Sequence, residues 1–237
     1  MKISIFLSRF VEIIDLLMNI SNSKHNIGFL FDLDGVIIDS EKEYSKIWAR
    51  INQEFPTGIP DLEQKIKGST LSKILNDNYK SEETKAAVAK RLHELENQMR
   101  YEYLPHAQEF LKLLKSKNLP CALVTSSDNE KMEHLKDEVP DIFDYFDFII
   151  TGDLVKNSKP APEGYLLAAS KLNKDPKNCV VFEDSLQGVQ AGKNAGTYVV
   201  GITGTIPQEQ LMTFSHKVIN NFNELDLESL IQILSER

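Results

Sequence analysis

Asp32 and Asp34 stand two residues apart in the stretch Phe29-Leu30-Phe31-Asp32-Leu33-Asp34-Gly35-Val36, immediately after an apolar run. Such a run, residues 27–31, reads as a buried parallel strand. In open α/β sheets chemistry gathers in the crevice at the carboxyl ends of the strands. Two carboxylates at one strand end repel each other unless a cation lies between them, and oxygen ligands of this kind suit a hard cation such as Mg²⁺. Gly35 lets the backbone turn sharply just past the acids. A turn there can aim both carboxyl groups at one reactant despite the alternation of a strand.

The elements that must position this pair follow in a repeating pattern. Apolar runs of strand length recur at residues 121–125, 148–151, 179–183 and 198–202, and helix-like stretches separate them at 106–117, 129–138, 163–172 and 185–195, with a last helix over 227–234. Alternation of this sort predicts an α/β fold, a doubly wound and mostly parallel sheet. Residues 40–104 break the pattern. They are charged, hold no convincing strand, and carry helical spacing at Val88, Leu92, Leu95 and Met99, interrupted by Pro56, Gly58 and Pro60. They are expected to form an α-helical cap inserted over the carboxyl edge of the sheet. The expected division is an N-terminal extension over 1–26, a core over 27–39 and 105–237, and the cap over 40–104.

The chain has 237 residues, of which 41% are hydrophobic, enough for a proper core. Its 27 Lys and Arg against 35 Asp and Glu give a net charge of −8. Nucleic-acid binding needs basic surface to replace counterions, so it is not expected. An anionic substrate would meet a repulsive field that only a local cation can reverse. Cys121 and Cys179 sit in apolar, strand-like surroundings and read as buried reduced thiols, which sets the cytoplasm as the expected compartment. Residues 3–20 are apolar but interrupted by Arg9, Glu12 and Asp15, so they match neither a signal peptide nor a membrane span. The spacing of Phe6, Phe10, Ile13 and Leu17 fits an amphipathic helix. That helix either packs on the domain or a partner, or belongs to an extension upstream of a start at Met18. Its polar face is not basic, so no membrane partner is expected, and a monomer or weak homodimer is.

Asp32-Leu33-Asp34-Gly35-Val36 resembles the first signature of the haloacid dehalogenase superfamily of phosphotransferases. Val124-Thr125-Ser126-Ser127 resembles the second, Ser158-Lys159-Pro160-Ala161-Pro162 the third and Phe182-Glu183-Asp184-Ser185 the fourth, in the same order along the chain. With the cap between the first and second signatures, the chain is similar to the branch of β-phosphoglucomutases and small sugar-phosphate phosphatases. The resemblance implies that Asp32 attacks phosphorus to give an aspartyl-phosphate. It implies that Asp34 protonates the leaving alkoxide and later deprotonates water. Asp184, and Glu183 through water, would complete the Mg²⁺ shell with Asp32 and the Asp34 carbonyl. Thr125, with backbone amides near Ser126, would hydrogen-bond the phosphoryl oxygens, and Lys159 would neutralise the developing charge.

In this family type the cap helps select the leaving group. Lys67 of Lys67-Gly68-Ser69-Thr70, and Asn129, are the candidate substrate contacts. β-Phosphoglucomutases carry a histidine on the segment after the first signature; residues 39–45 here hold Tyr44 and Ser45 but no histidine. The cap-loop arginine of those enzymes is also missing beyond Gly68. Both departures favour water as acceptor. The expectation is a Mg²⁺-dependent phosphatase of a small phosphorylated metabolite, a sugar phosphate above all. A phosphosugar mutase is the alternative, and a catalytically idle binding protein the reading from another class. The five histidines show no ligand spacing and are assigned no role in the site.

Overall fold

An uninterrupted apolar run has no face to offer water, so it needs cover on both sides. Accordingly β1 (Gly28–Phe31) lies in the middle of a sheet, with all four residues buried. The computed structural model describes residues 26–237. In it six parallel strands run in the order β3-β2-β1-β4-β5-β6. The others are β2 (Cys121–Val124), β3 (Phe148–Ile150), β4 (Cys179–Glu183), β5 (Tyr198–Ile202) and β6 (Lys217–Ile219). Phe31 is in register with Leu123 of β2 and Phe182 of β4. The strand order reverses between β1 and β4, the kind of crevice in which α/β sheets bind ligands.

Alternation along the strands sends side chains to two helical layers. Phe29 and Phe31 enter one apolar cluster with Phe110, Leu111 and Leu114 of α5 (Ala107–Ser116) and Leu230, Ile231 and Leu234 of α10 (Leu227–Ser235). There Phe31 stacks on Phe182 with ring centres 4.6 Å apart, and Phe110 on Phe222 at 4.9 Å. Leu30 enters the opposite cluster with Tyr165, Ala168 and Ala169 of α7 (Glu163–Lys171). The sheet also carries α6 (Asn129–Glu138), α8 (Leu186–Asn194) and α9 (Gln208–Met212).

Between β1 and β2 come α1 (Glu41–Glu54), α2 (Leu62–Lys65), α3 (Leu71–Asn78) and α4 (Glu82–Glu96). Val88, Leu92 and Leu95 of α4 are buried with Ile47, Trp48 and Ile51 of α1. Thr70 and Ser81 cap α3 and α4 by accepting from the amides of Lys73 and Thr84. The chain leaves and re-enters the sheet along paired strands of backbone. Asp39 N donates to Glu102 O at 2.9 Å and Leu104 N to Ile37 O at 2.8 Å.

The α/β alternation read from sequence corresponds to the observed elements. Two short ones, α9 and β6, were not anticipated: five and three residues carry too little periodicity to stand out from a loop. The amphipathic helix expected at 3–20 lies outside the described residues. Among the described residues no helix is long and apolar enough to cross a membrane. Cys121 and Cys179 are free and buried, and burial pushes both thiols up.

Phe31 is fully buried at the centre of the aromatic cluster. Phe31→Ala is expected to lower unfolding free energy by about 3–5 kcal/mol in a denaturant titration. A loss below about 1 kcal/mol would contradict this core.

Candidate active site

β1 delivers Asp32 to the crevice, where its amide continues the pairing with β4 by donating to Phe182 O at 3.0 Å. The chain then turns tightly, with Ile37 N donating to Leu33 O at 2.8 Å and Gly35 N to Ile38 O at 2.9 Å. Gly35 takes φ +74°, and a Cβ there would lie 1.9 Å from Asp184 Oδ2. Both facts demand glycine.

Lys159 reaches in from the loop before α7. Its Nζ donates to Asp32 Oδ1 at 2.5 Å, Glu183 Oε1 at 2.6 Å and Val124 O at 3.2 Å, which uses all three of its hydrogens. Glu183 is wholly buried, and its oxygens are filled by protein donors. Oε1 also accepts from Tyr165 Oη at 2.7 Å, and Oε2 from the Asp184 and Ser185 amides and Ser185 Oγ. Gly188, in the first turn of α8, makes this approach possible, since a Cβ would stand 1.9 Å from the Glu183 carboxyl. Asp184 accepts a hydrogen bond from Thr205 Oγ1.

Burial works against the Lys159 ammonium, but Asp32 and Glu183 outweigh it and hold it above the usual lysine value. The acids lack that balance. Burial drives Asp32 up to about 8 against the pull of Lys159, and Glu183 and Asp34 add to the rise. Burial, then Glu41, Glu183 and Asp32, push Asp184 well above the carboxylate range. Negative charge is thus crowded beyond what the local ammonium groups relieve. Asp32, Glu183 and Asp184 each offer an oxygen within 4.8 Å of the others. An all-oxygen, charge-rich and buried donor set of this kind fits a hard divalent cation.

Asp34 has a cation of its own, which the sequence reading missed. Lys131 Nζ lies 2.6 Å from both of its oxygens, Ser127 Oγ donates at 3.2 Å, and Ser40 Oγ donates to Oδ1. Lys131 is only 4% exposed and lies over the Tyr44 ring at 4.2 Å. Asp128 caps α6 through the Lys131 amide, fixing the lysine in the first turn. A signal was present: Lys131 is one helical turn before buried Leu135, on the face where an amphipathic helix is otherwise apolar. Thr205 and Ser40 gave no such signal.

A cavity of about 110 Å³ opens on these groups, lined by Asp32, Asp34 and Asp184 from the sheet edge and by Tyr44, Trp48 and Glu96 from the inserted helices. Ser126 lines it and ties the two layers together, its Oγ donating to Gly68 O at 2.8 Å. Lys67 also lines it, with Nζ 2.7 Å from Glu41 Oε2. Thr125 lies beside Lys159 in a smaller adjoining pocket, where its hydroxyl accepts from Ser127 N at 3.0 Å. Asn129 lines neither; its Oδ1 accepts from Thr151 Oγ1 at 3.0 Å and its backbone N–H donates to Asp153 Oδ2 at 2.9 Å. The structure therefore gathers Asp32, Asp34, Lys159, Glu183 and Asp184 at one point, sets Ser126 and Lys67 on the walls and holds Asn129 apart.

A profile of the haloacid dehalogenase-like hydrolases matches residues 28–196. A phosphorylated carbohydrates phosphatase of Thermotoga maritima is 38% identical over 177 residues, covering 70% of this chain and 80% of that one. A probable pseudouridine-5'-phosphatase of Saccharomyces cerevisiae is 34% identical over 191 residues, covering 73% and 80%. Among solved structures, a β-phosphoglucomutase from Clostridium difficile superposes with a TM-score of 0.73 at 29% identity, covering 88% of this chain and 97% of that one.

The crowding of acids has a thermal consequence. A divalent cation that fills this donor set, supplied as Mg²⁺ at about 100 times its Kd, would contribute about 2.7 kcal/mol to the folded state. That corresponds to a rise in Tm of roughly 5–10 °C for a chain of this size. Asp184→Asn replaces a carboxyl whose anion burial and its neighbours already disfavour, so its metal-free Tm should equal or exceed that of wild type while its response to Mg²⁺ disappears. A variant that still shifts with Mg²⁺ would contradict this site.

Proposed function

The chain belongs to the haloacid dehalogenase-like hydrolases, and on that premise we propose that it is a Mg²⁺-dependent phosphatase of a small phosphorylated metabolite, working through an aspartyl-phosphate on Asp32. The observation that carries the reading is the division of labour between two buried lysines. Lys159 binds Asp32 and Glu183, and Lys131 binds Asp34, so the two acids of one turn sit in different electrostatic surroundings. Environments that separate two carboxyl groups in this way assign them separate roles.

In the first half-reaction an Asp32 oxygen attacks phosphorus and the bond to the ester oxygen breaks. Asp34 is the general acid of this step, giving a proton to the departing alkoxide. Lys131, Ser127 and Ser40 stabilise the carboxylate that remains. In the second half that carboxylate takes a proton from water as the water oxygen attacks phosphorus. The bond to Asp32 breaks and inorganic phosphate leaves. Lys159, within hydrogen-bond distance of the nucleophile, offsets charge on the phosphoryl group. Asp32, Asp184 and Glu183 are the residues to hold Mg²⁺, with Asp32 and Asp184 carrying the larger part, because the Glu183 oxygens are already engaged. When bound, Mg²⁺ supplies the positive charge that keeps Asp32 ionised and shields the transferred phosphoryl group.

The acceptor is water. A mutase must shield its phospho-enzyme until a second hydroxyl arrives, a task for which β-phosphoglucomutases carry a histidine. Among the described residues that line the cavity there is neither histidine nor arginine, and the equivalent stretch presents Tyr44 and Ser45. A small metabolite, not a nucleic acid or membrane, is the partner that this enclosed cavity and a net charge of −8 favour. Two buried free thiols support a reducing cytoplasm.

Phosphate release from a panel of sugar phosphates is expected to require Mg²⁺, stop with a chelator and fall by roughly 10³-fold or more in Asp32→Asn. Equal release by the variant would overturn the reading. Conversion of β-glucose 1-phosphate to glucose 6-phosphate faster than free phosphate appears would make the protein a mutase. Lys131→Met should lower kcat by about 10²-fold, within the range of lost acid–base assistance, and shift the pH profile of kcat. A change in KM alone would remove Lys131 from this role.

A further inference from the structure

The wall that the inserted helices give the cavity contains an acceptor with no donor. Glu96, the last residue of α4, is 4% exposed and lines the cavity. Its Oε1 accepts from Tyr44 Oη, while Oε2 is buried without a hydrogen-bond partner. The imidazole of His93, on the same helix, has Nε2 3.8 Å from Oε2, beyond hydrogen-bond reach. Both His93 nitrogens are directed elsewhere, Nε2 to Asp128 Oδ2 at 3.0 Å and Nδ1 to Glu130 Oε2 at 2.7 Å. A buried polar atom left without a partner is costly, and native structures rarely keep one without reason.

The charges on the same wall point the same way. Lys67 and Lys131 are the lysines lining the cavity among the described residues, each bonded to an acid, Glu41 and Asp34; burial raises the Glu96 carboxyl, and the pull of Lys131 on it only partly offsets that. A second anionic group on a substrate would find Glu96 and Glu63 in the lining and no uncommitted lysine beside them. Trp48, Ile74 and Leu92 complete this side with apolar surface.

Building on the phosphatase reading, we infer that Glu96 is a specificity residue: the leaving-group pocket takes monophosphates of uncharged, hydroxyl-bearing compounds, binds a substrate O–H or N–H at Glu96 Oε2, and rejects leaving groups that carry a second anion. Donation to the carboxylate satisfies the orphan acceptor, and the apolar wall accepts the carbon face that polyols, sugars and nucleosides present. A carboxylate in the same place meets like charge in a closed space, where such juxtaposition is strongly unfavourable.

The test uses matched esters. Glycerol 3-phosphate and 3-phosphoglycerate differ only in a hydroxymethyl or a carboxylate at the far end, and glucose 6-phosphate and 6-phosphogluconate add a larger pair. p-Nitrophenyl phosphate reports phosphatase chemistry independently of the pocket. With the full chain and Mg²⁺, kcat/KM should favour the uncharged member of each pair by about tenfold or more. Glu96→Gln, which keeps the shape and removes the charge, should narrow that ratio by about tenfold. A structural role for Glu96 would lower both members together and leave the ratio in place, which overturns the assignment. Preference of wild type for the carboxylate esters, with p-nitrophenyl phosphate still hydrolysed, overturns this inference alone and needs no variant. Failure to hydrolyse any of the five overturns the phosphatase reading along with it.

Discussion

Four carboxylates, those of Asp32, Asp34, Glu183 and Asp184, meet at the carboxyl edge of the sheet, and two buried ammonium groups, Lys159 and Lys131, answer them. Every other feature of the site follows from that imbalance. Moving an ion out of water costs several kcal/mol even after relaxation, so buried carboxylates survive only with partners. Lys159 and Lys131 provide two, each tied by short hydrogen bonds, and the remaining negative charge is concentrated where Asp32 and Asp184 approach each other. The upward pressure on both carboxyls is the physical form of that excess. A divalent cation held by Asp32, Glu183 and Asp184 would relieve it.

The fold is arranged so that this crowding is tolerable. β1 and β4 are neighbours in register, Phe31 beside Phe182, so the residues one step beyond them, Asp32 and Glu183, emerge side by side. The apolar clusters on either face hold that register. Slipping the strand by one residue would send Phe31 to the wrong layer and turn Asp32 away. Gly35 then permits an approach to Asp184 that any side chain would block. The inserted helices add a roof rather than chemistry. They bring Tyr44, Trp48 and Glu96 over the acids, and Ser126 bonds to Gly68 across the gap.

Much of this was legible in the residues alone. The strand–helix alternation, the acidic pair at 32 and 34, and the positions of Lys159, Glu183 and Asp184 could be read because each occupies a short motif at the end of an apolar run. Lys131 could not be read in the same way. It belongs to no motif, and its partner is 97 residues away, so only the tertiary packing that brings α6 to the turn after β1 joins it to Asp34. Ser40, Thr205 and Glu96 escaped for the same reason: their importance lies in where their oxygens end up. Asn129 shows the converse. A motif position singled it out, yet Thr151 and Asp153 engage it outside the cavity. β6 was missed because three residues, one of them buried, leave no period to detect.

At the centre of the account stands the covalent step on Asp32. Mixing enzyme, Mg²⁺ and a hydrolysable ester, quenching in acid within one turnover and mapping the peptides by mass spectrometry looks for it directly. The account predicts a phosphoryl group on the Asp32 carboxylate that forms and decays no more slowly than phosphate is released. Full turnover with no adduct on Asp32, or with the phosphoryl group on another residue, would contradict it.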